Sequence, residues 1–151
     1  PVNRPEAALI GSMFIETDAP VDGDFVIEDA SHWILNGTGL QQGDRLPGLL
    51  GYEVDGGRDS TPPSTQVIAR ARVASPEGRV TVYNAAHGAI VFSTGSMQWS
   101  WGLDDFQVPA LRTSRLSPAA QQMTRNVLAR FGGKDIAADS VNQTSQPAPV
   151  R

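Results

Sequence analysis

Two of the three tryptophans in this chain stand one residue apart, just before two adjacent acids, in the stretch "GSMQWSWGLDDF" (residues 95–106). In an extended segment Met97, Trp99 and Trp101 share one face and form an apolar strip. This strip either packs beneath another element as core, or it lines a ligand crevice in which carboxylates accept hydrogen bonds. On the first reading the two acids only start a turn. The binding candidates in this stretch are Trp99, Trp101, Asp104 and Asp105.

A second group of acids lies in "GYEVDGG". If this segment is a strand, Glu53 and Asp55 lie on the same side of it, a spacing that can pair two carboxylates for acid–base work or bind a hard cation. No matching partner is visible in the sequence, so we expect the pair to face solvent from a loop. Tyr52 and Glu53 complete the set of binding candidates.

Motifs for catalysis and metal binding are weak in this sequence. His32 and His87 are the only histidines, whereas a metal site needs three or four converging ligands, so we expect each to have a structural partner. Without cysteine there is no disulfide, thiolate zinc site or cysteine nucleophile. No glycine-rich phosphate loop and no G-x-S-x-G elbow is present. The sequence therefore assigns no catalytic residue and no metal ligand.

Composition limits the partners. The chain has 151 residues, 40% hydrophobic and 19% charged, which fits one soluble globular domain. Its net charge of -4 argues against binding to nucleic acid or to an anionic membrane surface. We expect a soluble protein, with the cytoplasm as the favoured compartment, although nothing in the sequence specifies one.

The elements that position the candidates are mostly short strands. Leu9–Ile15, Phe25–Ile27 and Gly48–Val54 have strand length, and the turn residues Asn36 and Gly37 follow an apolar run at Trp33–Leu35. The segment "TQVIARARVA" alternates with arginines on a wet face, and "VTVYNAA" from Val80 returns as its hairpin partner. The apolar run "AIVFSTG" (Ala89–Gly95) predicts an interior strand covered on both faces.

One helix is predicted over Ser117–Gly132. Ser117 caps its first free amides, Pro118 fits the first helical position, and Gly132 suits a left-handed C-terminal position. We interpret its apolar stripe as core packing; the stripe comprises Ala119, Ala120, Met123, Val127, Leu128 and Phe131. Residues 134–151 are polar and aperiodic, so they predict a flexible tail after a domain spanning residues 1–133.

Four segments resemble, in order, the C-terminal domain of the large (beta) subunit of N,N-dimethylformamidase. They are "NRPEAALIGSMF", "HWILNGTGLQQGDRLPGLLGYEVDG", "VTVYNAAHGAIVFSTGSMQWSWGLDDF" and "QQMTRNVLARFG". The resemblance extends from Asn3 to Gly132, and "LGYEVDG" and "GSMQWSWGLDDF" are its most specific parts. It implies an α/β fold, the β-rich C-terminal part of a class I glutamine amidotransferase-like (flavodoxin-like) domain, with further sequence upstream.

The resemblance also implies chemistry that this segment lacks. In the family's enzyme two tyrosines and a glutamate hold a mononuclear iron, and we expect these ligands upstream, so none is assigned to Tyr52, Glu53 or Tyr83. Glutamine amidotransferases carry a "QFHPE"-like catalytic motif after the last buried strand. Here that place reads "QWSWGLDD", without the histidine, so glutaminase chemistry is not expected.

Three hypotheses follow. The preferred one is a non-catalytic C-terminal portion of a dimethylformamidase-like protein, with a structural role or a role as one wall of a ligand crevice. The second is part of an iron-dependent amidohydrolase that cleaves carbon–nitrogen bonds of small amides with residues upstream. The third is an independent small-molecule binding module. The expected partners are the upstream part of the same polypeptide and, by analogy, a second copy or a small partner subunit.

Overall fold

The computed structural model describes residues 4–17, 20–72, 77–106 and 112–133. Two α-helices, seven β-strands and three short 3₁₀ helices (η) make up this part of the chain. Their order is α1 (Ala7–Ile10), β1 (Met13–Phe14), β2 (Asp22–Ile27), η1 (Trp33–Leu35), β3 (Arg45–Gly51), β4 (Asp55–Gly56), β5 (Gln66–Ala71), β6 (Gly78–Asn84), η2 (Ala86–Gly88), β7 (Ile90–Ser93), η3 (Met97–Gly102) and α2 (Pro118–Phe131).

The strands form one curled, antiparallel half-barrel sheet. Its order is β1-β4-β6-β5-β2-β3, and β7 pairs with β6 beside the short β4. The inner face of the sheet and the segments η1, η3 and α2 enclose one hydrophobic core, in which Phe25, Leu50 and Ile68 are fully buried. Mixed α/β content with a C-terminal helix is therefore confirmed, while the glutamine amidotransferase-like arrangement stays a prediction.

The β5–β6 hairpin is confirmed, with Val67 opposite Thr81 and Arg70 opposite Arg79. A β-bulge between Val67 and Ala69 interrupts the alternation, so Ile68, expected on the wet face, is fully buried instead. Arg70 stays on the outer face, where Glu77 accepts a hydrogen bond from it at 3.0 Å.

Other strand predictions need correction. The segment Leu9–Ile15 divides between α1 and β1, and Trp33–Leu35 forms η1. The strand predicted over Gly48–Val54 ends at Gly51, because Tyr52 adopts a left-handed φ of 57° that an extended strand cannot contain. Strand β7 is half-buried and, among the described strands, pairs only with β6, so it is not the interior strand expected from its apolar run.

The C-terminal helix forms almost as predicted. Ser117 Oγ accepts a hydrogen bond from the Ala120 amide at 3.2 Å, and Pro118 occupies the first position. At the other end Gly132 has a φ of -79°, and the left-handed conformation expected there falls on Gly133, at 72°. The predicted stripe is only partly buried: Leu128 and Phe131 are 62% and 53% exposed, whereas the polar Asn126 is buried.

Within the described residues no helix combines the length and apolar character needed to cross a bilayer. The tail predicted over residues 134–151 lies outside the described part of the chain.

Candidate functional site

The predicted tryptophan strip is the 3₁₀ helix η3, so the two rings point in different directions. Ser96 begins this helix by accepting a hydrogen bond from the Gln98 amide at 3.1 Å. Trp99 is 3% exposed, and its Nε1 donates to Thr124 Oγ1 of α2 at 3.1 Å. The expectation that Met97, Trp99 and Trp101 share one face is wrong, since only an extended backbone gives that alternation.

Trp101 is half-buried and lies between an aromatic ring and two cations. The Tyr52 ring meets it edge-on, with centroids 5.4 Å apart. The guanidinium carbons of Arg112 and Arg115 lie 4.6 and 5.3 Å from the centroid of a Trp101 ring. Such cation–π contacts stabilise the ring orientation. Trp101 is therefore a fixed surface at the rim of the domain, whereas Trp99 is core.

Arg115 connects three elements around Trp101. Its Nη1 and Nη2 both donate to the Asp22 carboxylate at 2.6 Å, and Nη1 also donates to the Gly48 carbonyl at 2.7 Å. A further hydrogen bond reaches Oε1 of Gln98, a buried residue of η3. The hydrogen bond from Arg115 holds the pKa of Asp22 below its ordinary value, and Asp22 in turn raises the pKa of Arg115. This network fixes the segment before α2 against β2, β3 and η3.

The two acids after Trp101 both have partners close to them in the chain. Asp104 accepts a hydrogen bond from the Phe106 amide, as in an Asx turn. Asp105 accepts one from Ser114, and its Oδ1 lies 3.7 Å from Arg112 Nη1. The aromatic wall and the acids predicted from the sequence therefore lie on one loop, joined by Arg112.

Tyr52 and Glu53 lie at the turn that follows β3. The Glu53 amide donates to the Gly51 carbonyl at 2.7 Å, which closes a tight turn around the left-handed Tyr52. The Tyr52 side chain is 75% exposed, although a left-handed φ is unfavourable for a bulky residue. Trp101 is its only ring partner in the described residues.

Asp55 differs from the expected pair of acids in solvent. Its side chain is half-buried, and Oδ1 is buried with no hydrogen-bond partner in the described structure. Burial, together with the negative charges of Glu53 and Glu6, raises the pKa of Asp55 to about 6. The charge of Glu53 acts on Asp55, as their spacing suggested. The largest cause of the raised pKa, however, is the burial of Asp55.

Of the two histidines, His32 has the expected structural partner. His32 Nδ1 accepts a hydrogen bond from the Ile34 amide at 3.3 Å, and burial lowers the pKa of His32. His87 is exposed within η2. Across the described residues no three histidine, cysteine, aspartate or glutamate side chains converge as metal ligands.

The iron ligands implied by the resemblance are two tyrosines and a glutamate, and the residues described here do not fit them. Tyr83 donates its hydroxyl proton to the Leu9 carbonyl, so its oxygen is engaged beneath α1. Tyr52 is held against Trp101 on the rim of the domain. No chemical step is therefore assigned to iron in this domain.

Two surface depressions flank the Asp22–Arg115 pair, and neither includes Trp101. One, of about 680 Å³, lies between the hairpin β2–β3 and the start of α2. The other, of about 660 Å³, is a groove on the outer sheet face where Arg45 pairs with Asp24 and Arg70 pairs with Glu28 and Glu77.

Sequence reasoning did not identify Asp22, Gln98, Arg112 or Arg115. Arg115 lies two positions before the Ser117 cap, in a segment without periodicity. Its partner Asp22 is 93 residues away in the chain, so no local pattern could have indicated the pair.

Comparison with known proteins supports the family resemblance found in the sequence. A search of curated proteins found no match. The family model described as "N,N-dimethylformamidase beta subunit-like, C-terminal" matches residues 1–114, which include the sheet, η3 and the acids after it. The chain therefore belongs to the family of N,N-dimethylformamidase beta subunit-like C-terminal domains.

Proposed function

We propose that this domain is a non-catalytic C-terminal part of a dimethylformamidase-like protein and that its Trp101 rim is one wall of a ligand crevice. The observation that carries this proposal is the contrast between the tryptophans. Trp99 is buried in the core, whereas Trp101 is half-buried and fixed by Tyr52, Arg112 and Arg115 at the surface. Rigid aromatic side chains of this kind supply contact area at little entropic cost.

The charges around Trp101 support a small, uncharged polar ligand. Asp22 neutralises Arg115, and Asp105 lies beside Arg112, so the local charges are paired within the domain. The exposed surface is then an indole edge and the Tyr52 ring. A ligand that packs on these rings and exchanges single hydrogen bonds fits better than an anion or a cation.

The proposal also includes the domain boundaries and the finer fold. Residues 1–133 would form the domain, and its sheet would complete a glutamine amidotransferase-like fold with upstream sequence of the same polypeptide. The family description, which names a C-terminal part, supports an upstream region.

An iron-dependent amidohydrolase is the second candidate, because the family name is that of an amide-hydrolysing enzyme. In that case the catalytic residues lie upstream and this domain supplies only a wall. Iron content and formamide hydrolysis of a full-length preparation test it. A metal-free, inactive full-length protein would exclude the amidohydrolase while leaving the binding role open.

An independent binding module is the third candidate, supported by the single enclosed core of the described residues. It predicts cooperative unfolding of the isolated chain and binding of small amides or sugars to it.

The crevice is tested by Trp101→Ala, both in the isolated chain and in the full-length protein. We expect the variant to weaken binding of a small amide such as formamide by about tenfold, roughly 1.4 kcal/mol, while the far-UV spectrum is unchanged. Trp33→Ala is the matched control, because Trp33 is also half-buried and lies beneath an arginine, Arg130, 5.8 Å from its ring. Equal amide binding by Trp101→Ala and the unmodified protein would remove the crevice from the proposal.

A further inference from the structure

Strand β7 has one open edge. In the β6–β7 ladder Tyr83 lies opposite Val91, and Asn84 lies opposite Ile90. The Ala85 amide donates to the Ala89 carbonyl at 2.7 Å and the Ala85 carbonyl accepts from the Gly88 amide at 3.3 Å, so Ala85 is a hydrogen-bonded position at the end of the ladder. Because such pairs alternate in an antiparallel ladder, Val91 exchanges its bonds with Tyr83, while Ile90 and Phe92 turn their N–H and C=O groups away from β6.

No described residue binds these outward backbone groups. Strand β7 also lacks the features that protect sheet edges, since its four residues, Ile-Val-Phe-Ser, include no charge and no proline. The side chains of Ile90, Val91 and Phe92 are only half-buried, so solvent reaches the strand. An open, apolar edge of this kind is a template for another strand.

The opposite edge of the sheet is protected. Strand β3 contains Pro47, and Arg115 donates to the carbonyl of Gly48 at 2.7 Å. Ser96 Oγ accepts from the Gly51 amide at 2.8 Å and donates to its carbonyl at 3.1 Å. Side chains therefore bind backbone groups of Gly48 and Gly51 on β3, whereas those of Ile90 and Phe92 on β7 have no such cover among the described residues.

We propose that β7 pairs antiparallel with β7 of a second copy of this chain, about a two-fold axis at Val91. This axis places Ile90 opposite Phe92 of the copy and Phe92 opposite its Ile90. Each pair exchanges both N–H···O bonds, so every outward group of the two residues gains a partner. The edge is thus complementary to itself, which is the requirement for a two-fold interface.

The side chains are compatible with this pairing. Ile90 and Phe92 lie on the core face, where the Phe92 ring meets Trp99 edge-on at 6.2 Å. Val91 lies on the other face, on the same side as Tyr83, and meets its symmetry mate at the axis. No like charges face each other across the two β7 strands. The net charge of -4 on each chain makes the association stronger at higher salt.

The test is the oligomeric state of the isolated chain, followed by analytical ultracentrifugation over a wide concentration range. We expect a concentration-dependent dimer. Val91→Lys places two ammonium groups at the axis and should weaken the dimer at least about tenfold. Tyr52→Lys is the control, because it makes the same charge change at a different exposed apolar surface and should leave the dimer intact. A monomer throughout, a dimer that survives Val91→Lys, or a dimer lost only in Tyr52→Lys overturns the proposal.

Hydrogen exchange gives a readout that does not depend on the variant folding. In the dimer the amides of Ile90 and Phe92 should be protected, and dilution should expose them, while the Val91 amide stays protected by its bond to Tyr83. Fast exchange of Ile90 and Phe92 at every concentration contradicts the pairing.

Discussion

At the residue scale, the half-buried carboxyl of Asp55 makes folding depend on pH. Burial, then the charges of Glu53 and Glu6, raise its pKa to about 6 from the ordinary aspartate value of 3.8. Between these two pKa values the folded state holds a proton that the unfolded state has released. The stabilising contribution of protonated Asp55 is therefore complete below about pH 3.8 and is lost as pH rises through 6.

Asp55→Asn replaces this carboxyl by a neutral group of the same shape. We expect the variant to unfold at a higher temperature than the unmodified protein at pH 7.5, with the difference shrinking as pH falls towards 4. Thermal unfolding at several pH values measures it. Asp59→Asn, at an exposed acid in the following loop, is the control and should show no such trend. A gap that does not change with pH would contradict the assignment.

Arg115 tests whether the network around Trp101 needs a planar donor. Lysine keeps the charge but cannot donate in parallel to Asp22 while also reaching Gly48 and Gln98. We expect Arg115→Lys to lower the free energy of unfolding by about 1 kcal/mol, as measured by urea denaturation. Arg125→Lys is the matched control, because among the described residues that guanidinium bonds only Gln122, within its own helix. Equal losses in the two variants would refute a special role for Arg115.

At the element scale, sequence predicted what local chemistry controls. The start of α2 follows from nearby side chains, since Ser117 binds an amide three residues on and Pro118 needs no amide partner. The β5–β6 hairpin follows from alternation and a polar turn. Segment η3 was predicted incorrectly because Trp-Ser-Trp has the spacing of a strand, while its conformation depends on Ser96 and on Thr124, 25 residues beyond Trp99.

The attachment of α2 to η1 is a second feature that the sequence periodicity did not predict. Asn126 lies among the apolar positions of the buried face, and its Nδ2 donates to the carbonyls of Ile34 at 3.0 Å and Asn36 at 2.8 Å. The helical periodicity predicted only the apolar stripe as the buried face. An asparagine is expected to face solvent unless its hydrogen-bond acceptors, here distant in the chain, are known. This one amide fixes the position of the helix against η1.

Asn126→Ala should therefore lower the free energy of unfolding by about 2 kcal/mol, because it leaves two backbone carbonyls next to the core without this donor. Urea denaturation followed by tryptophan fluorescence measures the loss. Gln122→Ala removes the hydrogen bond from Gln122 to Asn126 and those from Arg125 to Gln122, none of which reaches η1, and should cost less than half as much. If the two variants lose the same stability, Asn126 does not fix the helix to η1.

At the scale of the whole molecule, Gly51 is the point where the sheet, η3 and the Arg115 segment meet. Its amide and carbonyl bind Ser96, and its Cα lies against the Gln98 side chain that accepts from Arg115. Sequence identified the family and the approximate elements, but it could not predict this junction. Gly51 and Ser96 lie 45 positions apart in the chain, so no local pattern indicates their contact.

Gly51→Ala tests whether this junction makes the domain one cooperative unit. A Cβ at this position would lie 1.9 Å from Gln98 Nε2 and 2.6 Å from the Val21 carbonyl oxygen, so both the side chain and the backbone would have to move. We expect the free energy of unfolding to fall by about 3 kcal/mol or more, seen as unfolding at lower urea concentration and a weaker near-UV tryptophan signal.

Adding Gln98→Ala should recover only part of the loss, because the clash with the Val21 carbonyl remains. Gly132→Ala is the control: its new Cβ would meet its nearest atoms at 3.5 and 3.6 Å, ordinary contact distances, so its stability should change by less than about 1 kcal/mol. If Gly51→Ala is as stable as Gly132→Ala, the sheet and η3 are not tightly coupled, and the rim that holds Trp101 moves independently of the core.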